Sequence, residues 1–258
     1  MTSNSVGQSG AAKAMSIFKA FAGDQTELSL TQICDRTELR RSTAHRWLQE
    51  LVTHGALTKL PNGCYCPSQL MWKIATRCTR PSIMREIARP YVQGLLKTTR
   101  GYVQLAVPAG DEALIIERIS RSTAMKPVGR VGGQLPLHST GAGKVILAYA
   151  PNEFRNRILN RPLTRYTEHT ITTPEAMKEE LENIRRRGYA TSLEERTIGI
   201  VSYAVPIFEH GSDSVVIAAV SVLVESREDG VLNALRPAAV DISRALRKLP
   251  STHSLDGL

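Results

Sequence analysis

"TELRRSTAHRWLQELVTHG", residues 37–55, decides how the first part of the chain folds. Ala44, Trp47, Leu48 and Leu51 recur at i, i+3, i+4 and i+7, the spacing of one apolar helix face. Ser42, His45, Arg46 and Gln49 repeat that spacing and, at about 100° per residue, project to roughly the opposite side. The stretch predicts a helix, stopped at Gly55, that packs on one side and offers cationic and hydrogen-bonding groups on the other.

Upstream, Ala14, Ile17, Phe18 and Phe21 form a second stripe, with Gly23 as its stop. "LSLTQICDR" then offers Ser29 as N-cap with Gln32 three residues on, a capping box, and Leu30, Ile33 and Cys34 as its inner face. A turn from Thr37 to Arg40 leads into the opening helix. Downstream, "ALTKLPNGCYCPS" reads as two short strands joined by a Pro-Asn-Gly turn. Three short helices followed by a hairpin is the order of a winged helix-turn-helix.

A recognition helix presents its first turns to base edges in the major groove. Arg and Lys reach guanine, and Ser or Thr serves base or phosphate. That geometry nominates Arg41, Ser42, Thr43, His45 and Arg46 for the groove, and Lys59 and Asn62 for phosphate or minor groove from the wing. Two plainer readings compete: Ser42 as a helix cap alone, and His45 with Arg46 as a solvated face.

Charge distribution agrees with a polyanion partner. Of a net +9, residues 1–80 carry ten Lys/Arg and five Asp/Glu (+5), and the other 178 carry twenty-three and nineteen (+4). The 258 residues, 42% apolar and 22% charged, suit one large or two ordinary globular domains. No apolar run approaches the roughly 20 residues that span a bilayer. The start, "MTSNSVGQSGAAK", has no basic stretch followed by an apolar core, so the expectation is a cytoplasmic protein with a disordered tail over residues 1–10. Four cysteines are too few for a disulfide framework, and Cys64 and Cys66 have no downstream His or Cys pair to complete a zinc site. They read as strand residues, and no metal or cofactor is expected.

Beyond the hairpin, "SQLMWKIATRCTR" predicts a helix, and "PSIMREIARPYVQGLLKTT" a connecting helix that Pro90 kinks or divides. After Gly101 the period changes: "YVQLAV", "ALIIERI" and "MKPVGRV" read as strands. The helices "GAGKVILAYA", "NEFRNRILN" and "TTPEAMKEELENIRRRG" follow, the last with Thr173 as cap, Pro174 at N1 and Gly188 at the stop. Strands return in "YAVPIFE" and "SVVIAAVSVLV", and a helix from about Asp229 to Leu249 closes an α+β domain with a mixed or antiparallel sheet. The boundaries expected are 11–75 for the winged helix-turn-helix, 76–100 for linker helices and 101–258 for the second domain.

Four segments carry a family resemblance: "LSLTQICDRTELRRSTAHRWLQELVTHGAL", "GRVGGQLPLHSTGAGKVILA", "RRRGYATSLEERTIGIVSYAVPI" and "VIAAVSVLV". Together they resemble successive landmarks of IclR-type bacterial transcription regulators. The resemblance implies a GAF-like α+β effector-binding domain, joined by a helix to the winged helix-turn-helix, in a dimer or dimer of dimers. The family commonly has Gly where this chain has Glu38, which must leave its helix by another route, and often Pro at Arg40, which adds a potential phosphate contact.

In "LPLHSTGAGKVILAYA", the small residues from Ser139 to Gly143 precede an apolar helix, and free N–H groups at its positive end suit a carboxylate. A phosphate-binding P-loop is excluded, because that motif needs Gly at His138 and Ser or Thr at Val145. A hydrolase pairing His138 with Ser139 lacks both a nucleophile elbow and an orienting acid. By resemblance the effector pocket takes Gly141, Ala142, Ser192, Ser202 and Ser221. Leu223 stands where some members that bind very small carboxylates have a serine, and Ser192 where they have an acid. An apolar gain and a lost acid point to a larger, partly apolar ligand, an aromatic or other organic acid of a catabolic pathway. Met125, Val128 and Arg130 join the wall, or Arg130 stays at the surface.

The function expected is that of an effector-controlled transcription regulator, not an enzyme. Its partners are a palindromic double-stranded operator, the effector and further copies of itself, because one winged helix reads too few base pairs alone. The alternative is an architectural DNA-binding protein whose second domain only oligomerises.

Overall fold

The computed structural model describes residues 9–23, 25–77, 79–99, 101–120, 129–209, 212 and 214–247. The chain forms two compact units, Met1–Thr79 and Arg80–Leu258.

The first unit opens with α1 (Gly10–Ala20), capped by the Ser9 hydroxyl inside the stretch read as a tail. It stops at Ala20, three residues before the expected Gly23. In α2 (Leu30–Thr37) the expected capping box is present: Ser29 Oγ accepts the Gln32 N–H at 3.2 Å, and Gln32 Oε1 accepts the Ser29 N–H at 2.8 Å. Glu38 then takes the left-handed conformation (φ 56°, ψ 15°) in which glycine would be unstrained, and its N–H closes α2 on the Cys34 carbonyl at 2.9 Å. α3 (Arg41–Thr53) follows. Its N-cap is Arg40, with no side-chain cap bond, so the cap reading of Ser42 is corrected: Ser42 lies one residue inside the helix. β1 (Leu57–Lys59) and β2 (Tyr65–Pro67) pair antiparallel, and Leu28 bridges to Tyr65. Ile17, Leu28, Ile33, Leu48, Leu57 and Tyr65 are buried in one core, one each from α1, α2, α3, β1 and β2 with Leu28 from the connection between α1 and α2. α4 (Gln69–Ala75) ends the unit.

α5 (Thr79–Thr98) is one continuous helix, and Pro90 within it withholds the N–H that would bond to the Glu86 carbonyl. It is not a free connector: Met84, Ala88, Val92, Leu95 and Leu96 are buried in the core of the second unit. The chain continues through β3 (Tyr102–Ala109), β4 (Glu112–Ser120), β5 (Gln134–Pro136), α6 (Gly141–Tyr149), α7 (Asn152–Leu159), α8 (Pro174–Arg187), β6 (Ala190–Leu193), β7 (Val201–Phe208), β8 (Val216–Val224) and α9 (Val231–Leu246). The six strands form one antiparallel sheet in the order β5-β4-β3-β8-β7-β6.

Two sequence expectations change here. Of "MKPVGRV", residues 125–128 lie outside the described residues, and 129–131 form no strand. The strand expected there is β5, beyond the Gly132 turn (φ 82°). β6 carried no signal of its own.

The sheet is two-faced by size. One face carries Val103, Leu105, Val107, Val201, Val205, Ile207, Val220, Val222 and Val224 against α5 and α9. The other carries Ala106, Ala190, Ala204 and Ala219 under α6 and α8. Small side chains bring α6 close: a Cβ on Gly141 would sit 2.8 Å from Ser202 Oγ, and one on Gly143 2.4 Å from the Pro136 carbonyl oxygen.

Candidate nucleic-acid interface and ligand pocket

On α3 the apolar stripe faces inward, with Ala44 and Leu48 buried and Trp47 and Leu51 half-buried. Arg41, Ser42, His45, Arg46 and Gln49 are exposed, and Thr43 is half-buried. Arg41 Nη1 reaches Thr31 Oγ1 of α2 at 3.4 Å, and Arg40 is exposed at the turn. An isolated helix face of this kind would be unremarkable. Here it crowns a packed helix-turn-helix beside a hairpin, the arrangement that places such groups in a major groove.

The wing residues differ from one another. Lys59 is exposed, its ammonium 5.9 Å from the Tyr65 ring centroid. Asn62 is engaged within the protein: its Oδ1 accepts the Cys64 N–H at 2.9 Å and its Nδ2 donates to Glu27 Oε1 at 3.3 Å. Asn62 therefore shapes the turn between β1 and β2, with Gly63 (φ 80°) completing it.

In the second unit a small, narrow recess lies where the small-residue face of the sheet meets the start of α6. Six of the nine residues nominated for the ligand line it: Gly141, Ala142, Ser192, Ser202, Ser221 and Leu223. Register explains their convergence. Ser192 pairs with Ser202 and Ser202 with Leu223, while Ala204 pairs with Ser221 and Ser221 with Gln104, so two adjacent ladders run across four strands. Gln104, Leu135, Arg196, Thr197 and Ile200 also line the recess and were missed; nothing local in the sequence marks them. Met125 and Val128 lie outside the described residues. Arg130 sits half-buried beside the Gly132–Gly133 turn and is not among the lining residues described.

The start of α6 is less open to an anion than its sequence suggests. Gly141 N–H donates to Ser202 Oγ at 3.1 Å, and Gly143 N–H to Thr140 Oγ1 at 3.1 Å. Of these first three N–H groups, Ala142's alone has no partner among the described residues. Ser192 Oγ donates to the Ser139 carbonyl at 3.0 Å, tying β6 to the loop before α6.

Beneath the helix, Lys144 is 1% exposed. Its ammonium donates to Glu195 Oε1 at 2.6 Å, to the Thr191 carbonyl at 2.7 Å and to Glu180 Oε1 at 3.2 Å. Burial still pushes the Glu195 carboxyl above its ordinary pKa, against the lowering pull of Lys144. His138 Nε2 donates to the Thr164 carbonyl at 2.9 Å, and its ring stacks on Tyr166. Burial holds the imidazole below its ordinary pKa, and Arg196 and Lys144 add to that. No bond joins His138 to Ser139, so this is not a nucleophile–base pair. Among the described residues no group of three His, Cys, Asp or Glu could hold a metal ion, and no helix is long and apolar enough to cross a membrane.

Known proteins share both units. Residues 10–61 match the IclR helix-turn-helix domain, and residues 79–244 match the bacterial transcriptional regulator IclR C-terminal domain. The HTH-type transcriptional regulator XynR of Escherichia coli K12 is 30% identical over 243 residues, 91% of this chain and 95% of its own length. The HTH-type transcriptional regulator BhcR of Paracoccus denitrificans is 30% identical over 221 residues, 85% of this chain and 79% of its own. Among solved structures, an IclR homolog from Microbacterium hydrocarbonoxydans complexed with 4-hydroxybenzoate superimposes with a TM-score of 0.83 at 33% identity, covering 93% of this chain and 99% of that one.

Proposed function

The chain belongs to the IclR family of bacterial transcriptional regulators, and from that premise we propose which groups meet DNA, which meet the effector and how the two communicate. It is a DNA-binding regulator whose second domain binds a small-molecule effector. In our reading, Arg41, Ser42, Thr43, His45 and Arg46 enter the major groove, and Arg40 and Lys59 contact phosphate. The exposure of Arg41, Ser42, His45 and Arg46 on the side of α3 away from its packed stripe supports this. A single winged helix contacts few base pairs, so the operator is a palindrome read by a homodimer or homotetramer. The protein works in the cytoplasm, without enzymatic turnover.

The effector is an aromatic or other organic acid. One observation carries this: three serine hydroxyls, from Ser192, Ser202 and Ser221, share a recess with Leu135, Ile200 and Leu223, so polar fixing points and an apolar wall face one ligand. The solved relative with 4-hydroxybenzoate supports the same class. α5 belongs to the effector domain's core while leading from the DNA-binding unit, which supports its role as the transmitting element. Effector binding must then favour one DNA-binding arrangement over another. A thermal-shift screen of small organic acids tests the class, and operator affinity with and without each hit tests the coupling. Hits that leave operator affinity and transcription alike unchanged would remove the coupling.

A further inference from the structure

An acid in this recess has to find a counter-charge. The α6 N-terminus supplies little, since Gly141 and Gly143 spend their N–H groups on Ser202 and Thr140. The serines are neutral. Among the described lining residues one side chain carries a charge, Arg196. It forms no ion pair among the described residues, and its guanidinium lies 4.0 Å over the Tyr166 ring, which fixes its plane.

The loop that carries Arg196 is anchored through its neighbours Glu194 and Glu195. Glu194 sits in the left-handed region (φ 55°), and its Oε2 accepts the Gly199 N–H at 2.8 Å. Thr167 Oγ1 donates to the Glu194 carbonyl at 2.8 Å, and Thr170 Oγ1 to the Glu195 carbonyl at 2.7 Å. The Glu195 carboxylate is held by Lys144. Glu194 and Glu195, the acidic neighbours of Arg196, are thus occupied elsewhere. An ordered cation without an ion-pair partner at a pocket mouth loses little freedom when an anion arrives.

We propose that Arg196 is the specificity-determining residue of the effector domain: its guanidinium pairs with the effector's carboxylate and so selects acids over their neutral analogues. The serines and the Ala142 N–H then hold the ligand's neutral polar groups, and Leu135, Ile200 and Leu223 its apolar body. This rests on the reading of the effector as an organic acid.

Isothermal titration of the full-length protein with small mono- and dicarboxylates, including 4-hydroxybenzoate, and with 4-hydroxybenzamide as a neutral counterpart, tests it. Arg196 is exposed, so Arg196→Met should melt with the wild type. The variant should bind each acid that the wild type binds about tenfold more weakly, the loss expected for a charge-assisted contact, and narrow the gap between acid and amide. Arg196→Lys should keep part of the preference. An acid bound as tightly by Arg196→Met as by the wild type, or acid and amide weakened alike, overturns the assignment and leaves the acid-effector reading standing. A wild type that binds none of the acids refutes that reading, and the assignment falls with it.

Discussion

Replacing Glu38 with glycine should make the DNA-binding unit more stable. Glu38 holds φ 56° and ψ 15°, where an L-residue pays about 1–2 kcal/mol for the closeness of its Cβ to the following carbonyl. Glycine escapes that cost but gives back about 0.5–1 kcal/mol through its freer unfolded chain. The side chain is exposed and makes no hydrogen bond or ion pair among the described residues, so little else is lost. The net gain is about 1 kcal/mol. Both tryptophans, Trp47 and Trp72, lie in the first unit, so fluorescence during urea unfolding of the full chain reports on that unit. With a slope of about 1 kcal/mol per molar for a unit of this size, the midpoint should rise by about 1 M. Glu38→Ala removes the same charge but keeps the Cβ, and should show no such rise. A Glu38→Gly midpoint at or below the wild type, or an alanine variant matching it, would refute the strain argument.

Three further outcomes are expected. Arg46→Ala should weaken operator binding by about 1–3 kcal/mol if Arg46 reads a base edge, with a smaller effect on unrelated DNA; fluorescence anisotropy measures it, and an unchanged affinity removes Arg46 from the interface. Lys144→Met leaves Glu195 and Glu180 without their buried cation and should cost the second unit about 3–5 kcal/mol, part of it regained in Lys144→Met/Glu195→Gln. Circular dichroism during denaturation checks it, and a variant as stable as the wild type contradicts the pairing. His138, held below its ordinary pKa, takes up its proton at lower pH folded than unfolded. Its contribution is therefore complete above about pH 6.5 and is lost as pH falls through the folded value. His138→Asn should lose less stability than the wild type between about pH 7 and about pH 5; equal losses would count against it.

What the sequence made legible was local. The stripe Ala44–Leu51, the Ser29–Gln32 box and Gly188 at the end of α8 each depend on neighbours within a turn or two, and each holds. The Ser42 cap failed because α3 opens two residues earlier, with Arg40 as N-cap and no side-chain cap bond. β6 escaped notice because four residues, two of them polar, make no apolar run; its place is set by pairing with β7. The pocket was half legible. Its serines came through the family resemblance, whereas Gln104 enters through cross-strand register and Ile200 through packing against Tyr102 and Leu223, which no window of sequence contains. The α6 N–H groups were over-read because the hydroxyls that satisfy two of them, Ser202 and Thr140, come from a distant strand and from the cap itself.

The size difference between the two sides of the sheet has a consequence for how such a regulator diversifies. The valines under α5 and α9 pack one dense core, and the serines on the α6 side line the recess. Exchanging Ser202, Ser221 or Leu223 changes the lining of the recess without opening a hole among the valines behind it. Effector preference can therefore change through single substitutions in the recess while the packed valine face stays intact.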